Sequence, residues 1–102
     1  MDFTQNEKYA ILFILSEIMK ADGSIDPKEQ QFLERMYEEF NITVLELSYI
    51  LDLDFVISEN IIISMTPEKK AKALSYFRAL AQCDGFVDPR EQELMKHFIG
   101  LE

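Results

Sequence analysis

Six acidic residues stand where carboxylates could meet a cation. Asp22, Asp26 and Glu29 belong to the stretch Asp22-Gly23-Ser24-Ile25-Asp26-Pro27-Lys28-Glu29-Gln30. Asp84, Asp88 and Glu91 belong to Asp84-Gly85-Phe86-Val87-Asp88-Pro89-Arg90-Glu91-Gln92. Oxygen sets of this kind suit hard divalent cations such as calcium, magnesium or manganese. The same positions also serve the backbone. Asp26 and Asp88 each precede a proline suited to the first position of a helix, and Glu29 and Glu91 follow three residues later, the form of a capping box. A cap of this type contributes about 0.5–2 kcal/mol without any ion. Asp22 and Asp84 fit that account less well. Each precedes a glycine at the carboxyl end of an expected helix, where the macrodipole disfavours a negative charge by about 0.3–1 kcal/mol. A cation there would meet both the carboxylate and the last free carbonyls. Asp-Gly is equally a turn pair whose carboxylate accepts from nearby backbone N–H groups, so both accounts stand.

The spacing resembles the second half of an EF-hand loop, but the first half fails. Its first position would be Ile18 or Leu80 and its third Lys20 or Gln82, none of which is a carboxylate ligand. A looser site, with waters completing the shell, is what these residues allow. Other chemistry has little to work with. His97 is the only histidine and Cys83 the only thiol, too few for a zinc site and without a credible Ser/His/Asp set. His97 reads as a favourable charge near a helix end, and Cys83 as a small packed residue.

The elements that must position these residues are helices. Thr4-Gln5-Asn6-Glu7 has the form of a capping box, and the nearly all-apolar run from Tyr9 to Met19 predicts a helix buried on most sides. Asp22-Gly23 ends it. The next helix opens at Asp26-Pro27, presents Phe32, Leu33, Met36, Tyr37 and Phe40 on one face, and stops at Asn41. Glu34, Glu38 and Glu39 form its solvated side. Thr43-Val44-Leu45-Glu46 is a further capping box and opens a short helix to about Leu51. Between Asp52 and Met65, Phe55-Val56-Ile57 and Ile61-Ile62-Ile63 could pair as a hairpin. A lone hairpin is marginal, and a short helix from about Ser58 is the expectation. Thr66-Pro67 opens a long helix closed by Asp84-Gly85, and Asp88-Pro89 opens the last, with Leu94, Met95, Phe98 and Ile99 apolar and Gly100 as its stop. Met19, Met36, Met65 and Met95 fall on core positions.

At 102 residues the chain reads as one domain, residues 1–102, and its 48% hydrophobic content is that of a globular protein. Ten basic against 19 acidic residues give a net charge of −9. That balance argues against nucleic acid, whose affinity depends on neutralising phosphates, and against docking on anionic lipid. It suits cations or basic proteins. No apolar run is long enough to span a bilayer, so no membrane insertion is expected. The single cysteine excludes an internal disulfide. With no signal-peptide pattern at the N-terminus, it points to a cytoplasm-like compartment.

At a constant offset of 62 residues the two halves correspond. Thr4 falls on Thr66, Leu12 on Leu74, Ile25 on Val87 and Phe32 on Leu94, along with the acidic and turn residues above. Two helix–Asp-Gly turn–helix units, about 4–40 and 66–99, therefore flank a variable middle. Pairing them about an approximate two-fold axis would bury both apolar faces. The expected fold is an all-α, compact bundle of about six helices. Ala21-Asp22-Gly23-x-Ile25-x-x-x-Glu29, repeated near the C-terminus with Cys83 in place of Ala21, resembles the TerB-like family, the tellurite-resistance B type, over nearly the whole chain. The resemblance implies a cytoplasmic helical domain associated with stress and metal-oxyanion resistance, with a divalent-metal role for the acidic cluster. The resulting expectation is a non-enzymatic binding module, with a divalent cation at the acidic turns and a protein partner; a homodimer is left open. A metal-assisted hydrolase on the same carboxylates and a purely structural adaptor are the alternatives. The hydrolase requires a concave pocket containing both turns.

Overall fold

Thr4 starts the first helix, α1 (Gln5–Lys20), in the computed structural model, which describes residues 3–20 and 27–82. The Thr4 hydroxyl accepts from the Glu7 N–H at 3.2 Å and the Thr4 N–H donates to Glu7 Oε1 at 2.7 Å. Two of the orphan donors of the helix start are thereby satisfied, as the capping-box pattern predicts. Every residue from Ala10 to Ser16 is buried, as are Ile18 and Met19. Helices α2 (Pro27–Glu39), α3 (Val44–Leu51), α4 (Phe55–Ile63) and α5 (Pro67–Gln82) all pack against α1. A helix apolar nearly all round along its middle has little side to offer water, so it takes the centre and the other four surround it.

The chain is all-helical among the described residues, with five helices and no strand. The expected sixth helix, from Asp88, lies outside them. The radius of gyration, 12.6 Å, is that of a compact chain of this length, about 13 Å. No described helix is long and apolar enough to cross a membrane. Met19, Met36 and Met65 are buried as expected, and Glu34, Glu38 and Glu39 are exposed.

Helix α2 ends as its sequence predicts. Asn41 adopts φ 57°, its N–H donates to Glu38 O at 3.0 Å, and the Ile42 N–H donates to Tyr37 O at 2.9 Å. This pair of bonds is a Schellman motif, and the half-buried side chains of Ile42 and Tyr37 both pack on the core. Thr43 then caps α3 in a complete capping box with Glu46.

One expectation is corrected. Helix α4 begins at Phe55, not near Ser58. Asp54 Oδ1 accepts from the Val56 N–H at 2.8 Å and the Ile57 N–H at 3.2 Å, which fixes the start one turn earlier. Ser58 is instead a wholly buried residue of α4 whose hydroxyl has no partner among the described residues. A buried hydroxyl in that state costs about 1–3 kcal/mol. Ser16 on α1, also buried, donates to Phe13 O at 2.7 Å and avoids that cost.

Candidate functional site

Of the six carboxylates, Glu29 alone is among the described residues; Asp22, Asp26, Asp84, Asp88 and Glu91 lie outside them. Glu29 occupies the first turn of α2 with 2% of its surface exposed. Placing a carboxylate there is favoured by the helix dipole, and withdrawing it from water is costly without hydrogen bonds or a counter-charge. Among the described residues no three His, Cys, Asp or Glu side chains are grouped as metal ligands would be.

Two hollows are bordered by described residues. One, about 380 Å³, is bordered by Pro67, Lys70, Ala71 and Arg78 on α5. The other, about 340 Å³ and shallow, lies between the start of α1 and α4, bordered by Thr4, Asn6, Glu7, Ile57, Asn60, Ile61 and Ser64. Glu29 is not among the described lining residues of either hollow.

The feature that sequence reasoning missed is on α3 and α4. Six of the eight residues of α3 are apolar, as are six of the nine of α4. Yet α3 buries Ile50 and α4 buries Ile62 as their only fully enclosed apolar residues. Val44 is 81% exposed and Leu45 85%, and Tyr49, Leu51, Val56 and Ile57 are more than half exposed. A short helix resting on α1 can hide one side only, and its apolar residues extend round to the other. The signal was available: two short helices apolar nearly all round, in a chain with one central helix to cover them.

Tyr9 joins α1 to this region. It packs edge-on against Tyr49, ring centroids 5.2 Å apart, and its hydroxyl donates to Glu46 Oε2. Gln5 Nε2 donates to the same oxygen at 2.7 Å. The tyrosine O–H, followed by the Thr43 N–H, holds the Glu46 carboxyl below its usual range, and the hydrogen bond to that carboxylate lifts the Tyr9 hydroxyl above its own. Glu7 is lowered as well. Burial pushes it up, but the Thr4 N–H and the Lys69 ammonium, 2.9 Å from Oε1, outweigh that.

Both shifts have the same consequence. A carboxyl whose folded value lies below its unfolded value, near 4.5, contributes its full stability above that pH. The contribution is lost as pH falls through the lower folded value. Thermal melts between pH 6 and 3 should therefore show Tm falling below about pH 4.5. The Glu7→Gln/Glu46→Gln variant keeps both capping boxes, because Gln serves at that position, and should show a shallower fall. An unchanged slope would mean these two carboxyls are not held as described.

A crystal structure of a protein of unknown function from Porphyromonas gingivalis is similar to this chain, with a TM-score of 0.77 and 26% identity over 99% of this chain and 85% of that one. No family model matches the chain, and no curated protein matches it. The likeness extends the all-helical architecture to a second protein, whose description names neither ligand nor activity.

Proposed function

We propose that the chain is a non-enzymatic, TerB-like binding module of cytoplasmic type that engages a protein partner, with a divalent cation held by the acidic turns. The observation that carries the partner half is the exposed apolar side of α3 and α4. Seven large apolar side chains of these two helices are exposed, and large exposed apolar patches mark interaction sites.

The repeat on which the family resemblance rests is supported by the pairing of equivalent positions. Glu7 and Lys69 are 62 residues apart, the repeat offset, and form an ion pair. Near a two-fold axis a residue meets its own counterpart. The helix starts match too: the Glu7 N–H donates to Thr4 Oγ1 and the Lys69 N–H to Thr66 Oγ1. Leu12 and Leu74, Leu15 and Phe77, and Ile18 and Leu80 are buried alike.

The cation half rests on six carboxylates in two copies and on the burial of Glu29, which places one of them in a helix start sheltered from water. Asp22, Asp26, Glu29 and their counterparts Asp84, Asp88 and Glu91 would be the ligands, and a hard cation would neutralise acids that the helix C-termini disfavour. Isothermal titration with Ca²⁺, Mg²⁺ and Mn²⁺ tests this. Binding by the wild type and its loss in Asp22→Asn/Asp84→Asn are expected. Absence of heat with all three ions, or full retention in the variant, leaves the acids as capping and turn residues only.

A further inference from the structure

The charge around the exposed face defines its occupant more closely. No lysine, arginine or histidine stands between Arg35 and Lys69. The α3–α4 segment carries Glu46, Asp52, Asp54 and Glu59 and no positive side chain. Lys69, which reaches toward α1 from α5, is paired with Glu7 at the edge of the shallow hollow. The charged side chains that the segment itself carries are thus all acidic.

The two helices turn their apolar residues outward in the same manner. On α3, Val44, Leu45 and Tyr49 lie on the side away from buried Ile50; on α4, Val56 and Ile57 lie away from Ser58 and Ile62. The shallow hollow of about 340 Å³ meets this surface at Ile57 and Ile61, its other described borders being Thr4, Asn6, Glu7, Asn60 and Ser64.

We propose that the α3–α4 face docks an amphipathic helix of a partner protein, one whose apolar stripe is flanked by lysine or arginine. A helix laid in such a place reads its partner through anchors at i, i+3, i+4 and i+7, and the basic flanks meet the acidic side chains of the segment. Complementary charge of this type sets specificity and association rate more than total affinity. An anionic membrane is disfavoured by the same side chains. A second copy is too, because a two-fold interface would bring the acidic segment against itself. The inference rests on the reading of the chain as a partner-binding module and adds the partner's chemistry.

Three fluorescein-labelled peptides of about 18 residues, a length of five helical turns, separate the terms in an anisotropy titration with the full chain. The first has Leu and Phe at helical spacing with Lys on the flanks. The second keeps the stripe and replaces Lys with Gln. The third has the composition of the first in scrambled order. Binding of the first, about tenfold or more over the other two, is expected, with a loss of about tenfold in Val44→Ser/Leu45→Ser. Binding should also weaken as NaCl rises from about 50 to 500 mM. Circular dichroism of the variant at wild-type helicity excludes misfolding; Val56→Ser/Ile57→Ser serves if it fails. Equal binding of the Gln peptide, lost in the variants, overturns the basic partner and leaves the docking face standing. Equal binding of the scrambled peptide, or of the first peptide to both variants, shows attraction of a polycation to an acidic chain and overturns the site itself. Sedimentation as a dimer that Val44→Ser/Leu45→Ser dissociates makes the occupant a second copy. A monomer that binds none of the peptides overturns the proposal.

Discussion

Replacing Leu15 by Ala should lower the free energy of unfolding by about 2–5 kcal/mol. Leu15 is fully buried on α1, and α1 is in contact with α2, α3, α4 and α5. A helix held on four sides cannot shift to close the space left by a lost isobutyl group, so both the transfer and the cavity costs are incurred. Domains of this size have about 5–15 kcal/mol in total, which makes one such change a large fraction of the whole. Each kcal/mol lowers Tm by about 4–8 °C. Leu45→Ala is the matched control, removing the same atoms from a side chain 85% exposed, and should stay within about 0.5 kcal/mol of wild type. Urea midpoints at unchanged slope measure both. A Leu15→Ala cost near that of Leu45→Ala would mean that α1 is not the centre of the bundle.

The contrast between these two leucines also defines what the sequence disclosed. Helix α1 was legible because Tyr9 to Leu15 leaves no polar side for water, so its central place follows from composition alone. Capping boxes at Thr4 and Thr43 were legible because the chemistry is local: the hydroxyl, the backbone N–H and the glutamate lie within four residues. The start of α4 was not. Phe55-Val56-Ile57 is as compatible with a strand as with a helix, and Ser58 is as good a cap as Asp54 by residue type. Contact with α1, which encloses Ser58 and Ile62, decides in favour of the earlier cap, and a single stretch of sequence does not contain that information. The exposed face is the same problem at larger scale. Apolar residues on α3 and α4 are evident in the sequence; which of them lie beneath α1 and which lie outside depends on how each helix is rolled. For the candidate cation site, the sequence supplied the residue types and spacing, and the buried position of Glu29 adds the one fact that spacing could not give.

The turn between α2 and α3 is where a single backbone angle should have the next largest effect. Asn41 holds φ at 57°, in the left-handed region where a β-branched side chain collides with its own backbone. Asparagine tolerates that region better than most residues, and glycine tolerates it best. Asn41→Val should destabilise by about 1–2 kcal/mol, the cost of forcing such a residue into left-handed geometry, while Asn41→Gly should differ from wild type by no more than a few tenths. The strain has no easy outlet. Relaxing φ would break the Asn41 N–H to Glu38 O and Ile42 N–H to Tyr37 O bonds. It would also pull Ile42 from the core and displace Thr43, which caps α3. The effect should therefore reach beyond stability: amide hydrogen exchange in α3 should rise in Asn41→Val and not in Asn41→Gly, because the valine loosens the anchor on which the exposed Val44 and Leu45 are presented. Equal stability and equal exchange in the two variants would show that the left-handed turn does not hold α3 in place.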